Sequence, residues 1–207
     1  MSSLPPLSEV IPLFLVLLFS LSFHEAAHAW TADRLGDPTA RELGRITLNP
    51  LAHIDWIGTV LFPLIAMMSN VPLLGWAKPV PVTWQNLRNP RRDFAIVALA
   101  GPISNLILAV GFALVFMVVR QSAVSFELRN LILTALSLNV LLAVFNMIPV
   151  PPLDGGNVLI GFAPMGVARL VAQLRPYGFL ILYALLLTGV LSDIIRPINT
   201  AILNWLL

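Results

Sequence analysis

Residues 9–30 read EVIPLFLVLLFSLSFHEAAHAW, and this stretch decides what kind of protein the chain is. Between Val10 and Trp30 the only ionisable side chains are His24, Glu25 and His28. An apolar run of about 20 residues is what a helix needs to cross the hydrocarbon core of a bilayer. Ala27-His28-Ala29 mimics a signal-peptide cleavage site, but residues 1–23 hold no Lys or Arg, so the stretch is expected to be a retained helix. The rest of the chain has the same character. Of its 207 residues 58% are hydrophobic and only 11% charged, with a mean hydropathy of +0.89. Soluble domains run at about 45–50% apolar and about 25% charged. A water-soluble globule of this size could not hide so much apolar surface, so an integral membrane protein is expected.

Further spans follow along the sequence. Phe94 to Val119 and Leu131 to Val150 are long apolar runs, and Tyr177 to Ile195 is a third. Ile57 to Met68 is apolar but short and broken by Pro63, which suits a re-entrant hairpin over 57–70. Ile198 to Leu207 is too short to cross alone. The predicted fold class is an all-α polytopic membrane protein with about four to six membrane segments. The expected three-helix core is 9–31, 94–119 and 131–154. One domain over 1–207 is expected, with a catalytic core at about 9–160 and a C-terminal membrane segment at about 177–195. Lys78, Arg88, Arg91 and Arg92 flank the start of the 94–119 run and place that end in the cytoplasm. Parity then brings Asp154 and the His24–His28 end of the first helix to the same, cytoplasmic face. The pI near 9.7 rests on a formal net charge of only +2, spread over loops, so nucleic acid is not an expected partner. The absence of cysteine excludes thiolate metal sites and thiol nucleophiles.

His24-Glu25-Ala26-Ala27-His28 carries the chemistry. Positions i and i+4 share one face of a helix, so two imidazoles can ligate one ion while the Glu between them reaches a water on it. An ionisable residue in a membrane helix costs about 2.5–3.5 kcal/mol on insertion scales, which argues for a ligand. A catalytic zinc takes three protein ligands, and the third must come from elsewhere. Asp154, between a run of prolines and Gly155-Gly156, is the first candidate; His53, followed by Asp55, is a second. In Lys78-Pro79-Val80-Pro81-Val82-Thr83 two prolines alternate with valines, which favours an extended, β-like edge where an unwound peptide could add as a strand. Trp30, Trp56, Trp76, Trp84 and Trp205 suit anchoring at the membrane interface. A metal transporter is a competing class, but the polar groups gather at one face rather than around a midplane site between repeats. A non-catalytic binder of membrane segments would have no use for Glu25.

Three groups of residues resemble the core motifs of the site-2 protease family, the intramembrane zinc metalloproteases. They are Phe23-His24-Glu25-Ala26-Ala27-His28, then Ala100-Gly101-Pro102-Ile103-Ser104-Asn105, then Asn146-Met147-Ile148-Pro149 through Pro152-Leu153-Asp154-Gly155-Gly156. Leu48 to Asp55 and Gly75 to Val82 resemble the compact members that lack a PDZ domain. The resemblance implies one Zn2+ per chain held by His24, His28 and Asp154, with Glu25 as general base. It also implies contact of Asn146 with substrate or the polarised carbonyl, a place for Asn105 near the site, and a substrate-receiving loop that contains Val80 and Val82. The implied partners are a transmembrane protein substrate and the lipid bilayer of a prokaryotic cell, in regulated intramembrane proteolysis; a homo-oligomer is compatible with it.

Overall fold

Apolar length, broken by a few glycines and prolines, sets the elements. The computed structural model describes residues 7–62, 65 and 75–207, and no strand occurs among them. The fold class is all-α. Helix α1 spans Leu7–Arg34. It stops where Gly36 takes a positive φ of 113°, with Gly36 N–H bonded to Asp33 O and Asp37 N–H to Ala32 O. That pair of bonds is the usual glycine-capped helix end. A single turn, α2 (Thr39–Glu42), follows. Trp56–Leu61 form one π-type turn, and positions 63, 64 and 66–70 of the expected 57–70 hairpin lie outside the described residues.

Helix α3 spans Pro90–Val119, with proline at its first position, where no intrahelical N–H is needed. Helix α4 spans Phe126–Asn146. It begins five residues before the expected Leu131, because the Ser125 hydroxyl accepts the Leu128 N–H and caps it. It also ends earlier. Pro149, Pro151 and Pro152 cannot continue a helix, so residues 147–153 turn and a new helix, α5 (Asp154–Phe162), starts at Asp154. The expected third core helix, 131–154, is therefore one span plus the first residue of the next element.

Helices α6 (Met165–Gln173), α7 (Gly178–Leu187) and α8 (Val190–Leu206) complete the chain. The expected span 177–195 is divided at Gly189, whose φ of 82° breaks the helix. Ile198 to Leu207, expected to be too short to cross alone, is mostly the second half of α8. Among the described residues three helices are long and apolar enough to cross a membrane: Val10–Arg34, Pro90–Val119 and Phe126–Asn146. Met165–Gln173 with Arg175–Leu187, bent by 40°, makes a fourth if the pair is one span.

Small residues set how the spans meet. Ala109 and Ala113 of α3 pack with Leu136, Val140 and Val144 of α4, and Leu206 of α8 closes this cluster. Alanines let helix backbones approach closely, which matters in lipid, where apolar burial gives no advantage over the tails. The second cluster, Ile148, Leu153, Leu182 and Leu191, anchors the turn before Asp154 against α7 and α8. Arg91 ties α5 back to α3, donating from Nε to Ile160 O at 2.9 Å and from Nη2 to Ala163 O. Packing at the turn before Asp154 and the Arg91 bonds at the C-terminal end hold α5 at both ends.

Candidate active site

In α1 the four-residue spacing puts His24 and His28 on one face, their rings edge to face with centroids 4.6 Å apart. Both Nε2 atoms point to the same place. Asp154 Oδ2 lies 3.1 Å from His24 Nε2 and 3.3 Å from His28 Nε2. Ligand atoms of His24, Glu25 and His28 all fall within 4.8 Å of one another, and all three residues are buried. Two chain-distant segments thus meet at one point.

The turn at 147–153 delivers Asp154, and glycine makes the delivery fit. A Cβ on Gly155 would lie 2.3 Å from Met147 O, and one on Gly156 2.7 Å from Pro151 N. The two glycines therefore let the first turn of α5 press against the chain that precedes it. Both glycines are helical. Their service is close approach.

Each imidazole is held by its other nitrogen. His28 Nδ1 lies 2.7 Å from Val97 O. A carbonyl can only accept, so this nitrogen carries the proton. His24 Nδ1 lies 2.6 Å from Asn105 Oδ1. The orientation of Asn105 follows from a chain of bonds: Asn139 Nδ2 donates to Ala135 O at 2.8 Å and to Ser20 Oγ at 2.9 Å, and Asn139 Oδ1 accepts from Asn105 Nδ2 at 3.0 Å. Asn105 Oδ1 must then face His24. Both histidines thus have a protonated Nδ1 and, when neutral, a lone pair on Nε2.

A cavity of about 630 Å³ opens over these groups. His24, Glu25, His28 and Asp154 line it beside Asn146, Trp76, Phe145 and Phe179. Glu25 Oε2 accepts the Val80 N–H at 2.8 Å. Val80 and Val82 line the cavity, and Val82 also packs against the cluster of Ala32, Leu87 and Val97. The 75–83 segment forms no β ladder among the described residues; it is an extended stretch pinned by its neighbours. Lys78 N–H bonds His53 O at 2.9 Å, and Arg45 Nη2 donates to Lys78 O at 2.8 Å. Thr83 N–H donates to Asp37 Oδ2 at 2.7 Å, and Asp37 Oδ1 accepts from Thr39 N–H, Thr39 Oγ1 and Asn86 Nδ2. Burial alone would raise the Asp37 pKa, but the bonds from Thr39, Asn86 and Thr83 overcome it and hold the carboxyl below its ordinary range.

Several expected residues take other places. His53 is buried away from the cavity: Nε2 donates to Thr47 O at 2.9 Å, and Nδ1 faces Arg45 Nη2 at 3.4 Å, so its ring braces the loop. Asn105 is fully buried and does not line the cavity; its carbonyl serves His24. Asn146 does line it, with Nδ2 donating to Leu142 O at 3.0 Å. Trp30, Trp56, Trp84 and Trp205 are exposed, as anchors would be, whereas Trp76 is a cavity wall against Phe62 and Phe179. Asn139 and Gly101 were not anticipated in these roles. A Cβ on Gly101 would lie 2.6 Å from His24 Nε2 and 2.5 Å from His28 Nε2, so the space before both atoms depends on a missing side chain.

The family model of peptidase family M50 matches residues 115–189, which include Asn146 and Asp154. Over the longer range, the chain is 38% identical across 205 residues to "Putative zinc metalloprotease YwhC" of Bacillus subtilis, covering 95% of this chain and 89% of that one. The chain belongs to the site-2 protease family, peptidase family M50. A second relative is "Putative zinc metalloprotease Rip2" of Mycolicibacterium smegmatis, 35% identical over 198 residues, covering 90% of this chain and 72% of the relative. "Zinc metalloprotease MJ0392" of Methanocaldococcus jannaschii is 27% identical over 148 residues, 71% of this chain and 33% of that one. No solved structure matches the chain.

This site-2 protease family member is a zinc metalloprotease and an integral membrane protein, with a protein as substrate. Its donor set fits zinc. Two Nε2 lone pairs and a carboxylate oxygen converge at hydrogen-bond distance, and buried Asp154 Oδ2 has no hydrogen-bond donor among the described residues. Three such atoms repel one another unless a cation or protons lie between them. Nitrogen and carboxylate ligands, each imidazole backed by an acceptor on Nδ1, are the pattern of a catalytic zinc site.

Proposed function

We propose that the protein hydrolyses peptide bonds in or beside transmembrane segments of other membrane proteins. The observation that supports this most is the convergence of His24, Glu25 and His28, all on a helix fit to span the membrane, with Asp154 at one apolar-walled cavity. In this reading His24 Nε2, His28 Nε2 and an Asp154 oxygen hold one zinc. When bound, zinc supplies a Lewis acid for the peptide carbonyl and makes a water acidic enough to lose its proton near neutral pH.

The chain's own residues do the rest. Glu25 Oε2 is engaged by the Val80 N–H, which leaves Oε1 to take the proton of the attacking water and pass it to the leaving amine. A helical substrate shields its amides with its own hydrogen bonds, so it must unwind before it can be cut. The 78–83 stretch offers it an edge, since neither the Val80 carbonyl nor the Val82 N–H and carbonyl has a partner among the described residues. Asn146, at the cavity wall, has amide capacity left to orient the scissile carbonyl. We place the site at the cytoplasmic side of a prokaryotic cell membrane, on the basic residues of the 78–92 stretch and the bacterial and archaeal sources of the relatives.

The test is to purify the wild type and Glu25→Gln, measure bound zinc, and incubate each with model transmembrane substrates. Equal zinc with cleavage by the wild type alone is expected. A difference of about 10²-fold or more fits loss of a general base. Cleavage by Glu25→Gln at the wild-type rate would refute the mechanism, and metal flux without proteolysis would point to a transporter.

A further inference from the structure

Extended backbone sends successive N–H groups to opposite edges. In the 78–83 stretch, Val80 N–H goes to Glu25 and Thr83 N–H, an odd number of residues on, goes to Asp37. The prolines take positions 79 and 81, which share the parity of Thr83. No N–H is therefore lost from the edge shared by Val80 and Val82, the edge that faces the catalytic residues. Along the other edge the stretch is fixed to the protein by Asp37.

One Asp37 oxygen, Oδ2, is given to the Thr83 N–H, while Oδ1 gathers Thr39 and Asn86. Asp37 is fully buried and sits just past the capped end of α1, with its own N–H fixed to Ala32 O at 2.9 Å. Nothing in the zinc chemistry uses it: it does not line the cavity and touches neither histidine. At the other end of the stretch Lys78 is gripped at both backbone groups, by His53 O and Arg45. Val80 and Val82 hang between the two grips. Because α1 also carries His24, Glu25 and His28, Asp37 ties the edge to the same rigid body as the reacting groups.

We propose that Asp37 is a positioning residue for substrate, which registers the Val80–Val82 edge against the active site through the Thr83 N–H. The proposal rests on the reading of 78–83 as the edge that receives substrate. Loosening the far side of that edge weakens strand addition while the groups on α1 stay in place. Loss of Asp37 therefore acts on KM more than on kcat. A general loss of folded protein acts the other way, lowering apparent kcat and leaving KM alone.

The experiment measures steady-state cleavage of one model transmembrane substrate, with zinc content, for full-length wild type, Asp37→Ala, Thr83→Pro and the double variant. Thr83→Pro removes the donated N–H together with the Thr83 hydroxyl that accepts from Thr39 Oγ1 at 3.0 Å. Thr83→Val, which keeps the N–H and loses only the hydroxyl, is its control and is expected to keep the wild-type KM. Thr83 already has an extended backbone, with φ of −93° and ψ of 91°. The expected result is a rise in KM of about tenfold for each single variant, kcat within about threefold, zinc unchanged and no further rise in the double variant. If Asp37→Ala does not fold, Thr83→Pro carries the test alone. An unchanged KM, a fall in kcat alone, or additive effects in the double variant would overturn the proposal. Val82→Pro separates the two claims. If Val82→Pro leaves KM unchanged, the substrate-edge reading itself fails. If Val82→Pro raises KM and Asp37→Ala and Thr83→Pro do not, only the role of Asp37 fails.

Discussion

Asn105 gives its carbonyl to His24 and its amide to Asn139, so one buried side chain links His24 of α1 to α4. Buried polar groups of this kind cost about 1–3 kcal/mol when left unpaired, so the network fixes ring orientation and helix register together. Gly101 works by absence. An added methyl would stand within 2.6 Å of both Nε2 atoms. Gly101→Ala is therefore expected to weaken zinc retention against a chelator by about tenfold or more, the order of effect of disturbing what orients a metal ligand. Gly111→Ala in the same helix is the control, since its Cβ would meet nothing within 4 Å, and it should retain zinc like the wild type. Equal retention by both variants would contradict the role of Gly101. The His24–Glu25–His28 spacing was legible in sequence because helical periodicity alone makes i and i+4 neighbours. The parts of Gly101 and Asn139 were not, because they depend on which faces of α1, α3 and α4 meet.

Elements show a similar division. The long apolar runs announced α1, α3 and α4, and the prolines after Asn146 announced a break. What local pattern left open was which side of the break Asp154 would join. It starts α5, held there by glycines packed on residues 147–151 and by Arg91 at the far end of that helix. The extended look of 78–83 was also readable, from proline spacing. Its anchors were not, because Asp37 and Thr83 are 46 residues apart in sequence. The Asp37 anchor predicts a pH dependence. Its pKa is lowered in the fold, so its contribution to stability is full above the ordinary aspartate value of 3.8 and is lost as pH falls below it, through the folded value. In detergent, the gap in melting temperature between wild type and Asp37→Asn should stay constant from neutral pH down to about 5 and close below 3.8. A gap that widens on acidification would contradict it.

At the scale of the molecule, scarce polarity has been gathered at one place. With 11% charged residues, the chain still sets two histidines, a glutamate and an aspartate around one cavity, and a further buried carboxylate, Asp37, at the anchor beside it. Composition identified a membrane protein, and motif order pointed to a zinc site. The arrangement of loops around the 75–83 stretch required the fold, since its contacts join segments with no shared periodicity. We propose that this membrane-borne site acts in or beside the transmembrane segment of its substrate. The most direct measurement is mass-spectrometric mapping of the bond cut when the purified protease is incubated with a substrate that has both a transmembrane segment and a soluble domain. A single cut inside or adjoining the apolar segment, absent with Glu25→Gln, is the expected result. Cuts confined to the soluble domain, or the same cut made by Glu25→Gln, would contradict the account.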